Sequence, residues 1–339
     1  MVNSKIGICV IGAGRAGLIH AVNYRNNIPN SELIAVVDPF EEAAVSACKQ
    51  LDISTYYLDY KKALQNDKID AVVIVTPTIY HKEIAVAAAK AGKHILCEKP
   101  MAMDENECEE MIKAADENKV ILQIGFMRRF DSSFIQAKEV VESGEIGDVV
   151  MVRSNTRGPS IPQKWMYDIR KSNGPLAEVN SHDIDTLRWF TNSEFKSVYA
   201  IGGNYRSPEA LKDYPDFYDN VIMNAQFVNG MQGSIDGAQG VEYAYDARAE
   251  ILGTKGIIYL GQVHDKAISI CTKASGIRRP VINSWRYLFR EAYMQEDIGF
   301  IDCIINVKNP KASGFDGKMA VKVVNAGNRS IIEKSIIEL

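Results

Sequence analysis

The sequence predicts an α/β protein in two parts. Residues 1–125 read as a doubly wound domain on a parallel sheet, and residues 126–339 as an α+β domain with a large open, mostly antiparallel sheet. Three observations carry that reading. Short apolar runs alternate with helical periodicity through the first third of the chain. A glycine-rich turn joins the first apolar run to the first helix. After Gly125 strand patterns follow one another with few helices between them. At 339 residues the chain is too long for one ordinary core and suits two domains.

Taken in order, residues 6–11, 33–37, 71–75 and 95–97 are continuous apolar runs, with helical patterns over 41–50 and 81–91. Runs without polar alternation suit strands covered by helices on both faces, and hence a parallel sheet. Asp104 is a candidate helix cap, with Glu107 three residues on as its capping-box partner, and 120–124 reads as a further strand. Beyond it, strands are expected over 149–154, 198–201, 221–227, 231–235, 247–252 and 257–260. Turn signals such as Asn229-Gly230 and Gly253-Thr254-Lys255-Gly256 separate several of them. Helices are expected over 183–190, 286–305 and 316–333, the last a candidate for packing back on the first domain.

Composition excludes several function classes. A hydrophobic content of 46%, a charged content of 24% and a net charge of −4 describe a soluble globular chain. No basic block or basic-aromatic stripe invites nucleic acid. The apolar run after Lys5 is short and soon reaches Arg15, so it reads as a strand rather than a signal peptide, and no membrane association is expected. Six scattered cysteines with no C-x-x-C spacing indicate neither a metal site nor a disulfide framework, and a reducing, cytoplasmic setting fits best.

The first chemical motif is Gly12-Ala13-Gly14-Arg15-Ala16-Gly17, placed between a predicted strand and a predicted helix. Gly12 permits a tight turn, Gly14 lets backbone approach a pyrophosphate, and Gly17 lets helix and strand pack closely, with the anion at the helix N-terminus. Asp38 ends the second strand about 20 residues beyond the glycines, where a carboxylate can bind ribose hydroxyls. It also repels a 2′-phosphate, and Pro39 supplies no cation to bind one, so NAD is favoured over NADP. Thr76 and Pro77 follow the next strand and are expected to line the cofactor crevice; His81, which opens the helix after them, is a further cofactor-site candidate, with capping or packing of its own helix as the alternative. His20, His94 and His264 read as structural. Glu98-Lys99-Pro100 then puts an amine at a strand end, on the side of the sheet where a nicotinamide would lie, and makes Glu98 and Lys99 cofactor-site candidates.

The second motif is Glu178-Val179-Asn180-Ser181-His182-Asp183. Were this turn helical, Glu178 and His182, four apart, would share a face and could hydrogen-bond. A carboxylate-oriented imidazole is a ready general base.

Cys97-Glu98-Lys99-Pro100, the run from Gly125 to Asp131, and His182-Asp183-Ile184-Asp185 with Arg188-Trp189 together resemble the Gfo/Idh/MocA oxidoreductases, and among them the inositol dehydrogenases. Tyr243-Ala244-Tyr245-Asp246, the run from Glu250 to Gly256, Trp285 and Phe315-Asp316-Gly317 extend the likeness over nearly the whole chain. The resemblance implies a Rossmann domain, an open-sheet second domain, bound NAD and commonly a homotetramer formed through that sheet. It implies that Lys99 holds the reacting hydroxyl while His182 takes its proton. It also implies that Met127, Arg128, Asn155, Trp165, Tyr243 and Tyr245 lie near a polyol or sugar substrate. Inositol dehydrogenases usually carry Asp four residues before the histidine, and this chain carries Glu178. That departure keeps open a sugar or glycoside dehydrogenase acting at a C3 hydroxyl. A non-catalytic NAD-sensing protein is a third reading, disfavoured because a sensor has no need of both Lys99 and His182.

Overall fold

A computed structural model describes residues 5–265 and 268–339. They divide into two compact units: one runs to Phe130 and takes in Glu291–Val321, and the other is Asp131–Arg290 with Lys322–Leu339.

The first unit alternates strand and helix: β1 (Ile6–Ile11), α1 (Arg15–Asn26), β2 (Ser31–Val37), α2 (Glu41–Leu51), β3 (Tyr56–Tyr57), α3 (Tyr60–Leu64), β4 (Ala71–Ile74), α4 (His81–Lys90), β5 (His94–Glu98), α5 (Glu105–Glu117) and β6 (Leu122–Gly125). Its six strands are all parallel, in the order β3-β2-β1-β4-β5-β6. The order reverses between β1 and β4, so the C-terminal ends of those two strands open the crevice in which such sheets bind ligands. β4 is buried at every residue, as its unbroken apolar run requires of a strand sandwiched by helices. Ile8, Val10, Val36, Val73 and Leu96 form the core together with Phe300 and Ile301, which the chain supplies when it returns to this unit. Asp104 caps α5 by accepting from the Glu107 N–H at 2.9 Å, while the Glu107 carboxylate reaches one residue past the cap to the Met103 N–H at 3.0 Å. Sequence reasoning missed β3 and α3, which are too short for periodicity to register.

The second unit opens with α6 (Ser132–Ser143) and β7 (Val149–Gly158), then three helices, α7 (Ile169–Ser172), α8 (Gly174–Glu178) and α9 (Ser181–Thr191). The sheet continues through β8 (Phe195–Gly203), β9 (Asn220–Phe227), β10 (Gln232–Gln239), β11 (Asp246–Gly253) and β12 (Ile257–Leu260), followed by a small hairpin, β13 (Ile270–Thr272) with β14 (Gly276–Arg278). The expected single helix over 286–305 is instead two, α10 (Trp285–Leu288) and α11 (Arg290–Asn306). α12 (Gly314–Glu333) and β15 (Ile337–Glu338) close the chain. The seven-stranded sheet runs β12-β11-β7-β10-β9-β8-β15. It is mostly antiparallel but mixed, because β7 and β10 pair in parallel at its centre. The chain between them leaves the sheet through α7–α9 and returns by β8 and β9, a crossover of the kind parallel pairing needs.

Candidate active site

The glycine turn is built as its spacing demands. Gly12 has φ +108°, and a Cβ there would lie 2.4 Å from the Val75 carbonyl oxygen, so only glycine fits. A Cβ on Gly17 would lie 1.9 Å from the Gly12 carbonyl oxygen, which is how closely α1 is laid against β1. Gly14 is the opposite case: it is exposed, and a Cβ would meet nothing within 4 Å. As the N-cap of α1 it offers no side-chain acceptor, and the first turn of α1 contains no acidic residue. The backbone donors at this helix start are therefore left for an anion. Asp38 closes the loop, accepting from the Ala13 N–H at 2.9 Å through Oδ2 and from the Phe40 N–H at 3.0 Å through Oδ1. A carboxylate has about four acceptor positions, so two remain for ribose hydroxyls. These residues fit a dinucleotide: open backbone at a helix start, exposed Arg15 and half-buried Ala16 beside it, and a carboxylate at the end of β2.

Thr76 is half-buried and Pro77 exposed at the end of β4. His81 is 1% exposed, with Nδ1 2.8 Å from the Pro100 carbonyl oxygen and Nε2 2.8 Å from that of Thr76. Burial lowers its pKa, against the pull of the two carbonyls. His81 thus sits between the Thr76-Pro77 turn and the Lys99-Pro100 segment, and in its neutral form it donates to one of the two carbonyls.

Lys99 follows β5, half-buried, with a cis peptide bond to Pro100. Its backbone N–H donates to Glu98 Oε2 at 3.0 Å. The other oxygen, Glu98 Oε1, lies 3.3 Å from His20 Nε2, and His20 Nδ1 lies 2.7 Å from Asp297 Oδ1. Asn23 donates to Asp297 Oδ2 at 2.8 Å. His20, Glu296 and Asp297 are wholly buried. Burial alone would lower the His20 pKa, but Asp297 and Glu98 more than offset it and hold the imidazole well above its ordinary value. For Glu296, burial, reinforced by Glu98, raises the carboxyl well above the usual range.

In the second unit Glu178 is the last residue of α8 and His182 the second of α9. The chain bends between them at Val179 and Asn180, so the expected continuous turn of helix is interrupted and the four-residue spacing does not by itself set their geometry. His182 is 6% exposed and Glu178 half-buried. Asp183 anchors this start of α9 to the sheet, accepting from Ser154 Oγ at 2.5 Å, Thr156 Oγ1 at 3.0 Å and Asn180 Nδ2 at 2.8 Å. Gly237 makes room for Asn180, since a Cβ there would lie 1.9 Å from its Oδ1.

The expected substrate residues fall into three places. Met127 and Arg128 are buried in a 3-10 turn after β6, Arg128 at 2% exposure. Trp165 is half-buried in a second 3-10 turn, its Nε1 donating to Gln163 Oε1 at 2.8 Å. Asn155 and Tyr243 meet at Asp246, which accepts from Asn155 Nδ2 at 3.2 Å and from the Tyr243 hydroxyl at 2.6 Å. Strand alternation puts Asn155 on the face of β7 opposite to Ser154 and Thr156, and so away from α9. Tyr245 is buried beside Gly158.

Family models match both parts of the chain: an oxidoreductase family with an NAD-binding Rossmann fold over residues 6–126, and the Gfo/Idh/MocA C-terminal domain over residues 134–259. The chain belongs to the Gfo/Idh/MocA oxidoreductase family. Among curated relatives of this family member, the scyllo-inositol 2-dehydrogenase (NAD(+)) of Bacillus subtilis is 32% identical over 96% of this chain and 94% of its own. The myo-inositol 2-dehydrogenase of Thermotoga maritima is 33% identical over 98% of each. Among solved structures, scyllo-inositol dehydrogenase from Lactobacillus casei with bound NAD(H) and scyllo-inositol superposes with a TM-score of 0.92, at 29% identity and 99% coverage of both chains.

For this Gfo/Idh/MocA protein, sequence reasoning missed the groups behind Lys99. His20 read as structural, and Glu296 and Asp297 went unnoticed because they lie 276 and more residues away from it in the chain. The available signal was an adjacent pair of acids set among Tyr293, Ile298 and Phe300, an apolar stretch where an exposed helix would not put them.

Proposed function

We propose that this protein oxidises one secondary hydroxyl of a cyclic polyol of the myo- or scyllo-inositol type to a ketone, with NAD as the hydride acceptor. The observation that carries the reading is Lys99, held by its own backbone N–H to the Glu98 carboxylate at the end of β5, in a unit whose glycine turn and Asp38 fit a dinucleotide. The inositol specificity of the relatives supports the substrate class. Bound NAD supplies a hydride acceptor. Lys99 donates a hydrogen bond to the substrate hydroxyl oxygen and fixes the carbon that bears it. His182 takes the hydroxyl proton as the C–H hydride departs, so the carbon is left as a carbonyl and two electrons have moved to the cofactor. Asp183 fixes the helix start that carries His182. Glu178 orients the imidazole or accepts from a neighbouring substrate hydroxyl, its extra methylene set against the usual Asp. Met127, Arg128, Trp165, Tyr243 and Tyr245 line the polyol with donors, acceptors and aromatic faces. Asn155 acts at one remove, through Asp246.

Glu178 also favours a second reading, a sugar or glycoside dehydrogenase at a C3 hydroxyl, because the residue that departs from the inositol pattern is one expected to touch substrate. We further propose a cytoplasmic homotetramer assembled through the open face of the seven-stranded sheet. Ile201 stands opposite Ile222 there, Arg153 opposite Glu250 and Glu250 opposite Tyr259. Ile201 and Ile222 are exposed side by side on β8 and β9, and Tyr259 is exposed on the far edge strand β12; exposed apolar groups set among charged ones on this face support an interface there. Among the described residues no helix is long and apolar enough to cross a membrane. Following NADH absorbance with NAD and a panel of inositols, glucose and glucosides tests the enzyme reading. Turnover of inositols supports it, turnover of pyranosides alone transfers it to the second reading, and NAD binding without turnover of any polyol contradicts both. Light scattering on the eluting protein gives the mass of the assembly, and a monomer contradicts the tetramer.

A further inference from the structure

The cluster behind Lys99 is costly by the ordinary rules of protein interiors. Ion pairs that are fully buried lose as much in desolvation as they gain in attraction, and apolar residues of similar volume often serve stability as well. Yet His20 on α1, Glu98 on β5 and Glu296 and Asp297 on α11 meet there, with the Tyr24 hydroxyl of α1 also buried and the Tyr293 ring edge-on to His20 at 5.5 Å. These are the titratable groups that face His20 from the three elements around it. The polar chain they form has a direction. It starts at Asn23 and Asp297, passes through His20 to Glu98 Oε1, and leaves by Glu98 Oε2 at the backbone N–H of Lys99. On the other side of the lysine, His81 holds the Pro100 carbonyl. The helix that carries His20 is also the one whose first turn is the dinucleotide-binding start, so one rigid element touches both the cofactor loop and the lysine's support.

We propose that the His20–Asp297 pair is a positioning device for Lys99: by holding Oε1 of Glu98, whose Oε2 accepts from the Lys99 backbone N–H, it sets where the lysine is presented relative to the cofactor loop at the head of α1. A carboxylate faces each ring nitrogen of His20 and favours its charged form, and a charged donor holds a carboxylate harder than a neutral one. Burial disfavours a further negative charge at Glu296, whose two carboxyl oxygens are buried without a hydrogen-bond partner among the described residues. This inference rests on the dehydrogenase reading for its effect on turnover, but its effect on the lysine itself can be read without turnover.

The test compares His20→Ala, His20→Gln and Asp297→Asn with Ile301→Val, a core trim on the same helix α11 that leaves the polar chain intact. Trace acetylation of the whole protein, read by mass spectrometry, gives the reactivity of Lys99 relative to Lys113, whose side chain is 73% exposed and serves as internal standard. His20→Ala and Asp297→Asn are expected to change that ratio at least about threefold and to lower kcat on the active polyol at least about tenfold. KM for NAD should stay within about threefold, since a displaced lysine weakens the reacting geometry and not the cofactor contacts. His20→Gln, which can still donate to Glu98, should recover part of both. If His20→Ala does not fold, Asp297→Asn, nearly isosteric, carries the test. Lys99 reactivity and kcat within about twofold of wild type in both variants would overturn the proposal, as would equal losses in Ile301→Val. Should the wild type turn over no polyol, the dehydrogenase reading fails on its own account while the acetylation ratio still decides the positioning role.

Discussion

Three alanine substitutions in one six-residue loop are expected to have three different outcomes, and the difference follows from what each new methyl would meet. Gly17→Ala puts a Cβ 1.9 Å from the Gly12 carbonyl oxygen, where ordinary contact begins near 3.4 Å. The acceptor is backbone and cannot rotate away, so α1 must lift from β1 by well over an ångström. Overpacking of that kind costs about 1–3 kcal/mol or more. Gly12→Ala combines a 2.4 Å approach to the Val75 carbonyl oxygen with φ +108°. The backbone strain alone costs about 1–3 kcal/mol, before the clash is counted. Gly14→Ala meets nothing within 4 Å and has φ −74°, an ordinary value for alanine, so its unfolding free energy should stay within about 0.5 kcal/mol of wild type. On the proposed assignment the methyl occupies space a pyrophosphate would need at the helix start, and NAD affinity should fall at least about tenfold, or about 1.4 kcal/mol. Urea denaturation gives the three stabilities, and quenching of intrinsic fluorescence by NAD gives the affinities of the folded variants. A Gly14→Ala protein that binds NAD as wild type does, or a Gly17→Ala protein as stable as wild type, would refute the assignment of these glycines.

Other outcomes are equally specific. Lys99→Ala should abolish turnover while NAD affinity stays within about threefold, because the proposed cofactor contacts lie mostly in the glycine loop and at Asp38; fluorescence titration beside a steady-state assay checks both. Asp38→Ser combined with Pro39→Arg should shift the NADP-to-NAD ratio of kcat/KM at least about tenfold, and an unchanged ratio shows that Asp38 does not meet the ribose. Glu296→Gln tests the buried acid through pH. A carboxyl whose folded pKa is raised stabilises the protein fully only below its unfolded value near 4.5 and loses that contribution as pH rises towards the folded value. Wild type should therefore lose stability relative to Glu296→Gln as pH rises above about 4.5, at no more than about 1.4 kcal/mol per pH unit. Parallel stability curves for the two proteins would mean that Glu296 is ionised.

The parts of the fold legible in the sequence are those with a local cause. Continuous apolar runs marked β1, β4 and β5 because burial on both faces removes any reason for alternation, and Gly12, Gly17 and Asp38 announced their loop because backbone geometry there admits few residues. What was not legible depends on distant partners. The parallel pairing of β7 with β10 is fixed by the path through α7–α9, which no strand pattern records. The bend at Val179 and Asn180 follows from Asn180 reaching Asp183 and the space left by Gly237, 57 residues away. The alternation that would have set Asn155 on the open face could be counted only once β7 was known to run to Gly158, four residues past its expected end. The support of Lys99 was the least visible, since His20, Glu98 and Asp297 come from an early helix, a mid-chain strand and a late helix. Only the fold brings them together.

The central claim is that Lys99 and the glycine loop serve one hydride transfer from a cyclic polyol to NAD. The most direct measurement is a stopped-flow record of NADH absorbance after mixing the protein and NAD with scyllo-inositol deuterated at every ring carbon, against the protiated compound. NADH should form with both compounds in the wild-type protein, slower with the deuterated one by about the factor expected when a C–H bond breaks in the observed step, and not at all with Lys99→Ala. NADH formation that survives Lys99→Ala at an undiminished rate would contradict that claim.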